Sequence, residues 1–190
     1  MRAFIAIELP KDIRDSLCLL QEAFKQTGSD VKWVEPQNIH LTLKFLGERD
    51  EKRIKQIEEV VEGVAKENRA FTMRINSIGA FPRLEAPRVI WVGLGKGEME
   101  TVKIAQELDE KIATLGIPKE ERPFSSHITI GRVRSPAKRE KLIQGLKVLS
   151  QETVWKNQEF QAGKITLFKS TLSPKGPFYE VISEAPLIAA

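Results

Sequence analysis

Both histidines of this 190-residue chain stand in the same short alternating pattern, and that pattern constrains the local fold around each of them. The first lies in Asn38-Ile39-His40-Leu41-Thr42-Leu43, the second in Ser126-His127-Ile128-Thr129-Ile130. Apolar and polar residues alternate with the period of a half-buried β-strand, whose successive side chains point to opposite faces. His40 and Thr42 then share one face while Leu41 and Leu43 enter a core. His127 and Thr129 do the same, backed by Ile128 and Ile130. Nine threonines in 190 residues place one two positions after a given histidine only about once in twenty. The repetition therefore reads as a paired feature, set against two histidines buried separately in ordinary amphipathic strands.

The flanks of the two patterns are also alike. Residues 3–8 form an apolar strand. Pro10 then opens a helix to about Thr27-Gly28, with Ile13, Leu17, Leu20 and Phe24 on one face. A short strand over 31–34 precedes the first histidine strand, about 39–46, which Gly47 ends. Asp50 caps a helix with Ile54, Ile57, Val61 and Val64 at helical spacing. Strands over 71–78 and 88–94 are joined by the proline-containing segment 79–87. A third helix spans about 98–115, with Gly116 as its stop. The loop 117–123 leads to the second histidine strand, about 124–133, and Ser135-Pro136 opens a helix to about Leu146. Two strands, 159–168 and 178–184, flank the turn Ser173-Pro174-Lys175-Gly176-Pro177. Without a regular βαβ rhythm, this mixture predicts an α+β fold of mostly antiparallel sheet with packed helices. Each half holds a helix, a His-x-Thr strand and a second helix. The expectation is one bilobal domain over 1–190, with two pseudo-symmetric lobes and the histidines facing across a shared cleft.

Composition narrows the classes. No apolar run approaches a membrane span, and the start Met1–Pro10 is too short and too soon interrupted for a signal peptide, so the expected compartment is the cytoplasm. The single cysteine, Cys18, excludes an internal disulfide and falls on the apolar face of the first helix. A net charge of +4 favours an anionic partner without naming one. Two histidines fall a ligand short of a usual metal site. No Asp or Glu lies within either motif, although Glu35 and Glu48 flank the first. Neither metal nor cofactor is expected.

Imidazole exchanges protons near neutrality, so two of them on opposite sides of a reacting group serve as base and acid in one displacement. A hydroxyl beside each donates to an anionic oxygen where charge develops. The set suits in-line attack on a phosphodiester. For a cyclic phosphate the nucleophile is water and the leaving group a ribose hydroxyl.

His40-Leu41-Thr42-Leu43 and His127-Ile128-Thr129-Ile130 resemble the two HxTx signatures of the 2H phosphoesterase superfamily. The opening 2–10, the stretch from Trp33 to Gly47, and Leu167-Phe168-Lys169-Ser170 with Gly176 and Tyr179 narrow the resemblance to the RNA 2',3'-cyclic phosphodiesterases, also called 2'-5' RNA ligases. It implies a cleft between lobes and hydrolysis of an RNA terminal 2',3'-cyclic phosphate to a 2'-phosphate, without metal and with no obligate protein partner. It also implies His40 as proton donor to the leaving 3' oxygen and His127 as acceptor from water. Alternatives are RNA ligation at the same ends, a small-molecule cyclic phosphodiesterase, and a non-catalytic RNA-binding module.

Three further residues are substrate-binding candidates. Arg132, five places after His127, matches a position where the family often has a basic residue that contacts phosphate. Strict alternation turns it away from His127, and a bulge at Gly131 would re-aim it. Lys44 shares parity with His40 and is expected to reach the cleft. Phe45, the counterpart of Arg132, has core parity, with base stacking as its alternative role. Trp33, Phe81, Trp91 and Trp155 read as packing residues, and Arg134, Lys138 and Arg139 as a basic cluster that steers RNA or solvates a helix start.

Overall fold

A computed structural model describes residues 1–152, 156 and 158–190. Its elements are β1 (Arg2–Glu8), α1 (Lys11–Lys25), β2 (Val31–Trp33), β3 (His40–Glu48), α2 (Glu51–Glu67), β4 (Phe71–Phe81), β5 (Val89–Leu94), α3 (Glu98–Ala113), β6 (His127–Val133), α4 (Arg139–Gln151), β7 (Glu159–Ala162), β8 (Lys164–Ser173) and β9 (Gly176–Pro186). A single 3₁₀ turn, Pro36–Asn38, leads into β3.

The fold is α+β, with two sheets in the orders β3-β1-β8-β9 and β2-β6-β5-β4-β7. Every strand pair within them is antiparallel. Helices α2 and α3 pack by the first sheet, α1 and α4 by the second. The same plan thus runs twice: an inner strand, a helix, a histidine strand returning beside the inner strand, and a second helix. In both passes the first helix crosses to the other sheet, so the halves interlock.

The helices form where apolar residues recur at helical spacing. On α2, Ile54, Ile57, Val61 and Val64 are buried, and the Asp50 carboxylate caps the helix by accepting from the Arg53 amide at 2.7 Å. Cys18 packs half-buried against the main core.

Several boundaries differ from expectation: β4 runs on to Phe81, β8 to Ser173 and α4 to Gln151, while β6 begins only at His127. The run 159–168 is broken at Gly163 into β7 and β8, which belong to different sheets. Polar and apolar residues alternate on both sides of Gly163, and that concealed the crossing. Helix α4 begins at Arg139, after Lys138 in the left-handed region, and Ser135-Pro136 lie before it. Trp155 lies outside the described residues.

Both histidine strands carry a bulge at the same place. Opposite β1, Thr42 pairs with Ala6 but Lys44 with Ile5, so Leu43 is the extra residue. Opposite β5, Thr129 pairs with Trp91 but Gly131 with Ile90, so Ile130 is extra. An extra residue reverses the alternation beyond it.

Candidate active site

The bulges decide which side chains follow the histidines into the cleft. Lys44 does not. It is 2% exposed, and its ammonium turns to the opposite side, 2.5 Å from the Asp109 carboxylate of α3 and donating to the Pro118 carbonyl at 3.3 Å. The expected cleft contact is therefore corrected: strict alternation failed at Leu43, and Lys44 ties β3 to α3 and the 117–123 loop. Lys44→Met is expected to lower the unfolding free energy by about 2 kcal/mol in urea, with phosphate affinity unchanged. Lost phosphate affinity at full stability would return Lys44 to the anion site.

Phe45 turns the other way. It is 62% exposed and lines the cleft, which corrects its expected core placement. Arg132 is likewise carried onto the face of His127 and Thr129, by the bulge at Ile130. A buried Gln21 holds that bulge, its amide donating at 2.9 Å to the carbonyls of both Ile130 and Val34. Gly131 leaves room for β2, since a Cβ there would lie 2.9 Å from the Trp33 ring.

The motif strands β3 and β6 approach within 8 Å, Cα to Cα, and an open cleft of about 960 Å³ receives His40, Thr42, His127 and Thr129 together. Each imidazole is fixed by the same device. His40 Nδ1–H donates to the Asn38 carbonyl at 2.7 Å, and His127 Nδ1–H donates to the Ser125 carbonyl at 2.8 Å. Each carbonyl lies two residues upstream, and Nε2 is left as the working atom. The Thr42 hydroxyl donates to His40 Nε2 at 2.8 Å, a neutral resting tautomer. Asn38 serves the site a second time, as its side-chain amide donates to the Pro177 carbonyl at 2.9 Å and fastens the β8–β9 turn beside His40.

Aromatic rings bed both histidines. Phe4 pairs in register with Phe45 on one side and Phe168 on the other. The Phe4 ring centroid lies 4.9 Å from His40, and Tyr179 stands edge-on to His40 at 5.4 Å. Across the cleft, Phe81 meets His127 edge-on at 5.0 Å and packs on Trp91 at 5.1 Å. Gly79 makes that possible, because a Cβ there would lie 2.2 Å from the indole. Phe81 and Trp91 are thus packing residues of the site itself. Phe4, Asn38 and Tyr179 lie in the stretches that carry the resemblance, but neither their roles nor that of Gln21 could be read there, since the pairing that assembles them is long-range.

Burial pushes the His40 pKa down to about 4; the Asn38 carbonyl and Glu8 oppose this, and His127 adds to it. His127 is also lowered, first by burial and further by the Arg132 charge, against the pull of the Ser125 carbonyl. A histidine held neutral in the fold loses stability as pH falls, because the unfolded chain takes its proton first. For His40 the window runs from pH 6.5 down to about 4. Unfolding free energy is expected to fall by about 2 kcal/mol between pH 7 and 4.5 on this account. Urea titrations at both pH values check it, and an equal fall in His40→Gln would refute the assignment.

Among the described residues no three His, Cys, Asp or Glu side chains converge as a metal site, and no helix is long and apolar enough to cross a membrane. The basic residues Arg134, Lys138 and Arg139 do not line the cleft.

A family profile described as LigT like Phosphoesterase matches residues 7–91 and 96–179. An RNA 2',3'-cyclic phosphodiesterase of Methanocaldococcus jannaschii is 39% identical over 184 residues, covering 97% of this chain and 99% of that protein. One of the same name from Thermotoga maritima is 34% identical, covering 97% and 94%. The crystal structure of TT0787 of Thermus thermophilus has a TM-score of 0.83 at 28% identity, covering 100% of this chain and 99% of that one. E. coli LigT in apo form shares the fold, with a TM-score of 0.79 at 24% identity over 98% and 97%. Each matched segment contains one histidine strand and its bulge, and on that footing the chain belongs to the LigT-like phosphoesterase family of the 2H superfamily.

Proposed function

We propose that this protein hydrolyses the 2',3'-cyclic phosphate at the end of an RNA to a 2'-phosphate. The observation that carries the reading is the pair of His–Thr faces on one cleft, each imidazole tied through Nδ1 to a carbonyl two residues upstream. The names of the full-length relatives support the substrate class.

In this reading His127 Nε2 takes a proton from water as the water oxygen bonds to phosphorus. The bond from phosphorus to the ribose 3' oxygen breaks, and His40 Nε2–H supplies that oxygen's proton. The Thr129 hydroxyl donates to a non-bridging oxygen. Thr42 joins it by a switch: once His40 Nε2 gains a proton it no longer accepts from Thr42, and that hydroxyl hydrogen turns to the phosphate. Arg132 adds positive charge to the cleft wall beside His127, and the open ring of Phe45 offers a stacking face for a base. With a 5' hydroxyl in place of water, the same displacement forms a phosphorus–oxygen bond to that hydroxyl as the bond to the 3' oxygen breaks, and joins RNA ends by a 2'-5' linkage through the same groups.

A neutral resting His40 must acquire its proton with the substrate. The cyclic phosphate anion between the imidazoles favours their charged forms. The kcat optimum is therefore expected at least about one pH unit above that of kcat/KM, since the latter reports the free enzyme. Coincident optima would contradict this proton uptake.

The direct test is turnover of an RNA oligomer ending in a 2',3'-cyclic phosphate, in EDTA, by wild type and His127→Ala. A 2'-phosphate product from wild type alone supports the reading. No product from either, with salt-sensitive RNA binding by both, would favour a binding module.

A further inference from the structure

Lys32 of β2 and Arg132 of β6 stand directly opposite each other in their antiparallel pair. Opposed residues share a face, with Cβ atoms about 5 Å apart. Both side chains are exposed and both line the cleft. Like charges so placed repel and weaken the pairing unless an anion lies between them. Among the described residues neither has a carboxylate within ion-pair distance, and Glu35, the one carboxylate lining the cleft, pairs with neither. The Lys32 ammonium reaches to 3.8 Å from a Cβ built on Gly176, so it spans the gap to the β8–β9 turn, which carries Lys175.

This cationic pair is displaced from the histidine chemistry. With Ile130 extra, Arg132 stands two ladder positions beyond Thr129, opposite Val89 where Thr129 is opposite Trp91, roughly 7 Å along the strand, and Lys32 sits one strand further out. Arg132 can still reach back toward His127, whose pKa it lowers. Lys32, about 5 Å further across the sheet, is not among the charges that act on His127.

We propose that Lys32 and Arg132 form a second phosphate subsite, which takes the 5'-phosphate group of the terminal nucleoside while its cyclic phosphate lies between the histidines. This rests on the hydrolase reading above and makes the enzyme selective for ends that carry a phosphate on both sides of the last ribose. A 5'-phosphodiester of an RNA chain and a 5'-phosphomonoester of a free nucleotide present the same chemistry to the pair.

The test compares three substrates: adenosine 2',3'-cyclic phosphate, the same molecule carrying a 5'-phosphate, and the dinucleotide ApA ending in a 2',3'-cyclic phosphate. Wild-type kcat/KM is expected to be about tenfold higher for the second and third, the worth of one charge-assisted hydrogen bond. In Lys32→Ala that advantage should fall below about twofold, and Lys32→Arg should keep most of it. A gain confined to the 5'-monoester supports the subsite and points to a free nucleotide, and a gain on both supports it for RNA ends. A gain on the dinucleotide alone overturns it, because the upstream base rather than the phosphate is then recognised. It is also overturned if the wild type treats all three alike, or if Lys32→Ala slows all three equally; in both cases the hydrolase reading stands. Turnover of none of the three by wild type would instead remove the hydrolase reading, and the subsite with it.

Discussion

His127→Ala is expected to lower kcat for cyclic phosphate hydrolysis by about 10³-fold with the fold intact, and His40→Ala to do the same. The His127 ring is not a core filler. Among the described residues His127 hydrogen-bonds to the Ser125 carbonyl and meets Phe81 edge-on at 5.0 Å and Trp91 at 6.4 Å. Thermal unfolding of His127→Ala should therefore change little while initial rates collapse. The double variant should be scarcely slower than either single one, because base and acid act in the same step. The two roles separate chemically. A substrate with sulfur in place of the bridging 3' oxygen leaves as a thiolate and needs no proton. It should restore His40→Ala by at least about tenfold and leave His127→Ala inactive. Rescue of His127→Ala instead would exchange the assignments, and a stably folded, fully active His127→Ala protein would end the mechanism.

The second large effect is on stability. Phe4 is buried at the centre of the aromatic row, against His40, Phe45, Phe168 and Tyr179. Phe4→Ala is expected to cost about 4 kcal/mol in urea, from lost burial and the cavity left under the histidine. Phe4→Leu should cost less than about 2 kcal/mol. The same cavity admits water to His40. Burial is the largest cause of its low pKa, so that pKa should rise from about 4 toward its ordinary value. Proton NMR titration of the two imidazoles reads this directly, and a His40 pKa unmoved in a folded Phe4→Ala protein would show that the ring does not set it. The acid loss of stability expected of wild type should shrink in the variant, because the folded and unfolded pKa values have come together.

The sequence made the two histidine strands, their hydroxyls and the helices legible because their periodicities are local. His40, Thr42, His127 and Thr129 were each placed on the correct face by strict alternation. Beyond the motifs that rule misled, and both times through a bulge. Lys44 was expected in the cleft and Phe45 in the core, and one extra residue at Leu43 exchanged them. A bulge is a property of two paired strands, so one strand's pattern cannot register it. Gly131 hinted at the second bulge, which is why Arg132 was held open. The roles of Asn38 and Gln21 could not be read for the same reason. Their bonds to Pro177 and Ile130 join segments far apart in the chain, and nothing in either residue's neighbours announces them.

The interlocked strand order also governs how such a chain comes into being. We propose that residues 1–190 unfold and refold as one cooperative unit. Strand β1 ends between β3 and β8, with Ala3 opposite Lys169, so an inner strand near the start of the chain lacks one neighbour until most of the chain has been made. The second sheet borrows β2 from the opposite end of its own run, with Lys32 opposite Arg132. Such distant pairings make folding slow and leave apolar strand edges open meanwhile. On the ribosome β1 and β3 must wait as an incomplete hairpin. Protease resistance of the nascent chain should therefore appear late and in one step, once β8 has cleared the exit tunnel, and the cell must shield that waiting edge until then.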